Sequence, residues 1–207
     1  MSKIDVVIMA AGKGTRMKSS MPKVLHRLGG RALLQHVIDT AELIHARRTV
    51  VITGHGADQV EALLSNQSQL QSVRQMPQLG TGHAMQQAIP LLEDDGVTLV
   101  LSGDVPLIQA DTLQALLQLC DAKHLALLTL QTQTPGGYGR ILRGPAQQVT
   151  AIVEDKDATA EQRLIQEIYS GIMAVPTRLL RAWLARLRLR GVGGKSVRFR
   201  SPSHFTD

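Results

Sequence analysis

Short apolar runs alternate along this chain with stretches whose apolar residues recur every three or four positions. Residues 4–10 form one such run, β-branched and ended by Gly12, and predict a buried strand. Residues 32–45 place Leu34, Val37, Ile38, Ala41 and Ile44 on one helical face. A second strand is predicted over 49–53, closed by Gly54 and Gly56, and a short helix over 58–64. Residues 72–75 fit a third strand, 82–92 a helix and 97–102 another buried strand. A helix capped by Asp111 follows over 111–120, then a strand over 125–131. Later strands are predicted over 149–153 and 168–174, and Pro176 opens a helix that runs to Leu187. This alternation implies an α/β domain with a mainly parallel, mixed sheet flanked by helices on both faces. No internal repeat or low-complexity segment interrupts it.

Composition narrows the picture. The chain has 207 residues, 43% hydrophobic and 19% charged, enough to bury a core and too apolar for disorder as its main state. Its one cysteine excludes an internal disulfide framework and a four-cysteine zinc site. The apolar run at 6–11 is too short to span a bilayer, so a soluble, reducing, cytoplasmic setting is expected, with no membrane insertion. The net charge of +6 suggests nucleic acid until its position is read. Residues 1–180 hold sixteen basic and sixteen acidic residues; residues 181–207 hold seven basic and one acidic. The excess therefore belongs to the tail. Before it the only aromatics are Tyr138 and Tyr169, too few for a base-stacking platform, and no nucleic-acid partner is expected. Past Leu187 the apolar period stops, and the basic stretch 188–207 reads as a disordered end.

Four segments could carry chemistry. Ala10-Ala11-Gly12-Lys13-Gly14-Thr15-Arg16-Met17 follows the first strand. Glycines there admit a phosphate close to the backbone, and Arg16 and Lys23 add positive charge, with Pro22 stiffening the approach to Lys23. It is neither the dinucleotide fingerprint nor a Walker A loop. Ser102-Gly103-Asp104 follows the buried strand at 97–102, so Asp104 falls at the carboxyl edge of the sheet, where open α/β sheets bind ligands. A carboxylate there suits Mg²⁺, which takes one or two carboxylates plus phosphate oxygens; taken alone, Asp104 reads better as a helix cap or turn residue. Gln78-Leu79-Gly80-Thr81-Gly82-His83 leads into a helix and offers backbone N–H groups, although Thr81 is also a good cap. Pro135-Gly136-Gly137-Tyr138-Gly139-Arg140 is a glycine-rich turn that could pass close to a sugar or simply close a hairpin. Cys120 shares a helix face with Leu113, Leu116 and Leu117 and reads as core. The histidines show no metal-ligand spacing, and Asp94-Asp95 reads as a solvated loop.

Together these motifs are more specific than any one. The opening strand, Ala-Ala-Gly-Lys-Gly-Thr-Arg-Met and the following Pro-Lys resemble the sugar-nucleotide pyrophosphorylase family. Leu-Gly-Thr-Gly-His-Ala-Met-Gln-Gln-Ala (79–88), Gly-Asp-Val-Pro-Leu (103–107), Gly-Tyr-Gly-Arg-Ile (137–141) and Ile-Val-Glu-Asp-Lys-Asp-Ala-Thr (152–159) narrow the resemblance. They are similar to the uridylyltransferase domain of bifunctional bacterial N-acetylglucosamine-1-phosphate uridylyltransferases/glucosamine-1-phosphate acetyltransferases, over about residues 4–187.

The resemblance implies a Rossmann-like nucleotidyltransferase fold. It implies transfer of a uridylyl group from UTP to N-acetylglucosamine 1-phosphate, giving UDP-N-acetylglucosamine and pyrophosphate for cell-envelope precursors. By it, the backbone of Met9, Ala10, Ala11 and Gly12, with Gln75, Gly80 and Thr81, would hold the uridine. Arg16 and Lys23 would neutralise the phosphates. Asp104 would ligate Mg²⁺, with Ser102 and Gly103 beside the nucleotide. Gly139 and Glu154 would hold the sugar. Two departures stand out. The family's sugar-contacting Asn is Tyr169 here, within Tyr169-Ser170-Gly171-Ile172. The family's Gly-Glu-Tyr-Tyr stretch, the Asn that shares Mg²⁺, and the trimer-forming acetyltransferase domain are absent. A domain spanning 1–187 and incomplete at its C-terminal end is thus expected, followed by a tail that reads like another translation frame. A catalytically inactive nucleotide-binding fragment, or a transferase for another nucleotide or sugar phosphate, are the alternatives.

Overall fold

The computed structural model describes residues 3–14 and 17–186. Arg16 and the stretch 188–207 lie outside the described residues. In chain order the elements are β1 (Lys3–Met9), β2 (Arg27–Leu28), β3 (Arg31–Ala32), α1 (Leu33–Leu43), β4 (Arg48–Thr53), α2 (Ala57–Leu64), β5 (Leu70–Arg74) and α3 (Thr81–Ala88). They continue with β6 (Gly96–Ser102), α4 (Ala110–Gln118), β7 (Ala126–Gln131), β8 (Arg140–Arg143), β9 (Val149–Val153), α5 (Ala160–Arg163), β10 (Glu167–Pro176) and α6 (Thr177–Arg186). None of the described helices is long and apolar enough to cross a membrane. The chain forms two compact units: one holds the described residues up to 126 and from 172 to 186, the other residues 127–171.

The sheet of the first unit runs β5-β4-β1-β6 and then residues 172–176 of β10. Its first four strands are parallel; β10 pairs antiparallel with β6, Ala174 opposite Leu99. Val6, Val7, Ile8, Val50, Val51, Ile52, Leu99 and Leu101 are fully buried, as expected where helices cover both faces of parallel strands. Leu34, Val37, Ile38 and Ala41 of α1 supply the facing layer. The hydroxyls of Thr98 in β6 and Thr177 at the start of α6 bond each other at 2.8 Å, so both buried polar groups are satisfied.

The amino edge of this sheet is closed by charge. Arg47 donates to Asp5 at 2.9 and 2.6 Å, to Glu93 at 3.0 Å and to Asp95 at 2.8 Å; Lys3 reaches Asp95 at 2.6 Å. Asp5 is completely buried, and the Arg47 fork is what makes that tolerable. The loop at Asp94-Asp95 is therefore anchored: Asp94 also takes a hydrogen bond from Arg181 at 2.7 Å.

The second unit is antiparallel. β8 pairs with β9, Ile141 opposite Ile152, and Ile168 of β10 pairs with Arg140. Several local expectations change. α3 ends at Ala88 and a 3-10 turn takes over at Ile89–Leu91, because Pro90 has no N–H to extend the helix. Gln109, not Asp111, stands at the start of α4, leaving Asp111 in its first turn. Cys120 lies beyond α4 and is half-buried rather than core; burial pushes its thiol up to about 11.

Candidate functional site

Four strand ends converge at the carboxyl edge of the parallel strands. Met9 pairs with Ile52 on one side and Ser102 on the other, and Thr53 pairs with Arg74. The segments that follow each strand therefore emerge together: Ala10 to Gly14, Gly54 to Gly56, Gln75 to Gly80, and Gly103 to Pro106. Connections after β1 build outward through β4 to β5, then return to β6 on the other side of β1. The crevice outside β1 and β6 is thus a topological switch point, the usual ligand position in open α/β sheets.

Close backbone contacts hold these segments. Ala10 N donates to Ile52 O at 2.9 Å, and Gly103 N donates to Met9 O at 3.0 Å. A Cβ at Gly103 would stand 3.1–3.3 Å from Met9 O, Val24 and Leu34, so a larger residue requires these neighbours to give by a few tenths of an ångström where β6 leaves the sheet. Gln78 Nε2 donates to Ala11 O at 2.6 Å. Gly12 faces open space, and Ala10 and Ala11 are buried behind it. The backbone between Met9 and Gly12 is therefore firmly seated yet accessible at its tip.

Lys23 is positioned by packing rather than by a long element. It opens a 3-10 turn (Lys23–Leu25) after the buried Pro22. Gly56 has a left-handed backbone, φ 63°, and any Cβ there would collide with the Pro22 ring. Gly14, φ 56°, leaves room for Lys23, whose Cβ stands 2.9 Å from where a Gly14 Cβ would be. These two glycines set where the ammonium can reach. It pairs with Asp104 Oδ2, while the Ser102 hydroxyl donates to Asp104 Oδ1 at 2.5 Å. Burial, the largest influence on Asp104, opposes ionisation. The Lys23 ammonium, the Ser102 hydroxyl and a backbone N–H together outweigh it and hold the carboxyl below its usual range.

Among the described residues no three His, Cys, Asp or Glu side chains gather to hold a metal. One ionised carboxylate beside an open crevice fits Mg²⁺ that brings most of its ligands as phosphate oxygens and water. It does not fit an ion caged by protein alone.

Beside this crevice Gln75 is buried. Its Nε2 donates to Gly80 O at 2.8 Å and lies 3.3 Å from His83 Nδ1. Gly80 precedes α3 and Thr81 begins it; the Thr81 hydroxyl makes no capping bond, so its reading as a cap does not hold. His83 is a contact that spacing alone did not single out, because a histidine one turn into a helix reads as packing.

In the second unit, Tyr169 N donates to Gly139 O at 2.8 Å. Gly139 is buried against Ile152, 2.8 Å from where a Cβ would be, with Tyr169 next at 3.9 Å. Glu154 follows β9 and is exposed. Burial, helped by the Glu154 carboxylate, pushes the Tyr169 phenol up, so it stays protonated and can donate. Gly139, Glu154 and Tyr169 thus lie in one cluster. Arg140 sets its frame: almost fully buried, it pairs with Asp155 at 2.8 Å and also donates to Tyr138 O. Sequence placed Arg140 in a turn motif without showing this burial.

Residues 6–171 match the MobA-like NTP transferase domain family. The chain is 68% identical over 193 residues to the bifunctional protein GlmU of Polaromonas naphthalenivorans, covering 89% of this chain and 41% of that protein. It is 60% identical over 190 residues to the GlmU of Methylibium petroleiphilum, again covering 41% of that protein. The chain therefore spans about two fifths of the length of these relatives. Among solved structures, a UDP-glucose pyrophosphorylase complexed with UDP-glucose aligns with TM-score 0.70 at 17% identity, covering 91% of this chain and 81% of that one. A nucleotidyl transferase from Methanothermobacter thermautotroptrophicus aligns with TM-score 0.65 at 20% identity, covering 95% and 79%. These two likenesses show the fold, a Rossmann-like nucleotidyltransferase.

Proposed function

The chain belongs to the MobA-like NTP transferase family, and from that premise we propose that it transfers a uridylyl group from UTP to N-acetylglucosamine 1-phosphate. The products are UDP-N-acetylglucosamine and pyrophosphate. The observation that carries this reading is the pairing of Lys23 with Asp104 in the crevice where the β1 and β6 loops emerge. The high identity to GlmU proteins directs it toward uridylyl transfer for cell-envelope precursors, a cytoplasmic reaction of soluble phosphate esters.

The acceptor phosphate oxygen attacks the α-phosphorus of UTP in line and pyrophosphate leaves. Such transfers need little covalent chemistry from protein, so positioning and charge neutralisation dominate. The backbone from Met9 to Gly12 holds the uridine, with Ser102 and Gly103 beside the nucleotide. Lys23 and Arg16 neutralise phosphate charge, Lys23 by exchanging the Asp104 carboxylate for a phosphate oxygen. Gln75, Gly80 and Thr81 hold the base. Gly139, Glu154 and Tyr169 hold the sugar, Tyr169 as donor and Glu154 as acceptor. Asp104 is the residue that would hold Mg²⁺, which when bound offsets negative charge on the phosphate oxygens. We assign this chemistry to a domain of residues 1–187.

The test is product identity. Purified protein incubated with Mg²⁺, each of the four common nucleoside triphosphates and a panel of sugar 1-phosphates is analysed by mass spectrometry. UDP-N-acetylglucosamine as the dominant product supports the reading; a different nucleotide sugar, or none, overturns it.

A further inference from the structure

Gln75 follows β5 and is 3% exposed. Its backbone N–H donates to Thr53 O at 2.8 Å, which fixes the main chain. The side-chain amide is fixed separately. Gly80 O, 2.8 Å away, can only accept, so the atom facing it must be Nε2; the reversed amide would set two acceptors against each other. One N–H is thereby committed to Gly80. The other faces His83 Nδ1 at 3.3 Å, so this ring nitrogen is the acceptor and the ring proton sits on Nε2. Both amide hydrogens are used inside the protein. Oε1 takes no hydrogen bond from any described residue. Nor is it sealed away: the buried, unpartnered side-chain atoms among the described residues are His26 Nε2 and Arg140 Nε. The one side-chain atom that Gln75 leaves open is an acceptor.

We infer that His83 is a positioning residue for nucleobase choice. By accepting the second amide hydrogen it holds Gln75 so that Oε1 alone meets the ligand, and the site then selects a base whose ring nitrogen carries hydrogen. This rests on the nucleotide reading above. Uracil and cytosine have the same ring size. Uracil presents N3–H, which Oε1 accepts; cytosine presents a lone pair at N3, which Oε1 repels. With His83 replaced by a residue that cannot accept, Gln75 keeps its bond to Gly80 but its amide plane is less restrained, and rejection of cytosine weakens. A purely structural histidine, buried at the start of α3, would change affinity for both nucleotides alike.

The experiment is equilibrium binding of UTP and CTP, each with Mg²⁺, to the unmodified chain, to His83→Asn and to His83→Leu, with folding checked by circular dichroism. Asn keeps an acceptor oxygen near the place of Nδ1; Leu does not. The unmodified chain prefers UTP, His83→Asn retains that preference, and His83→Leu lowers the UTP:CTP ratio about three- to tenfold, the effect of one neutral hydrogen bond. An unchanged ratio in His83→Leu, or an equal loss in both variants, overturns the inference. Should His83→Leu not fold, ¹⁵N NMR of the unmodified chain decides: a ring proton on Nε2 supports it, and one on Nδ1 overturns it. If UTP and CTP bind the unmodified chain equally, the inference alone fails. If neither binds, the nucleotide reading fails and takes the inference with it.

Discussion

The ammonium of Lys23 and the carboxylate of Asp104 neutralise each other at the mouth of the crevice between β1 and β6. One belongs to a loop held by Pro22 and Gly56, the other to the turn after β6. Their meeting lets both charges stay partly buried. On the proposed reading, the nucleotide and its metal then supply each with a new partner of opposite charge. Replacing Lys23 by Ala is expected to lower turnover about 100- to 1000-fold, the range seen when one preorganised charge-stabilising group is lost. Steady-state pyrophosphate release checks it, and near-normal turnover would remove Lys23 from the machinery.

Gly56→Ala tests how that lysine is placed. Its left-handed φ of 63° disfavours any side chain, and the new methyl would collide with Pro22. Strain and displacement are expected to cost about 1–3 kcal/mol of stability. The Pro22–Lys23 segment must shift, so KM for the nucleotide should rise as well. Thermal unfolding and nucleotide titration measure the two effects. A stable variant with unchanged KM would show that Pro22 does not seat Lys23.

Acid should loosen the amino edge of the sheet. Asp95 is held at about 2 by Lys3 and then Arg47. A carboxyl depressed in the folded state contributes stability above its unfolded value of about 4, and loses it as pH falls through the folded value. Asp95→Asn should therefore be less stable than the parent at pH 6, with the gap closing between about pH 4 and pH 2. Asp95 is half exposed, so added salt should narrow the gap too. Urea unfolding across pH settles it; a gap that persists at pH 2 would point to something other than charge.

Tyr169→Phe removes only a hydroxyl. If that hydroxyl donates to the sugar, KM for the acceptor should rise about three- to tenfold, with KM for UTP unchanged. Equal acceptor KM in both proteins would restrict Tyr169 to packing against Gly139.

Much of the first unit is legible in sequence. β1, β4 and β6 are apolar because helices cover both their faces, and the glycines that follow them mark the carboxyl edge that carries the candidate site. The second unit is less so. β8 is only Arg140–Arg143, and two arginines hide a strand whose first residue is buried with its terminal guanidinium nitrogens donating to Asp155 and Tyr138 O. The antiparallel pairing of β10 with β6 is a tertiary outcome that no local pattern announces. Nor does any spacing show that Asp5, Arg47 and Asp95 form one network, or that His83 touches Gln75. Such contacts join residues from separate elements, and only the sheet order brings them together.

The most direct measurement is pyrophosphate release by the purified chain with UTP, N-acetylglucosamine 1-phosphate and Mg²⁺, run beside Asp104→Ala. Release that requires all three components and falls at least about 100-fold in Asp104→Ala is the predicted result. No release from the unmodified chain, or equal release from both proteins, would contradict the assignment of uridylyl transfer to this crevice.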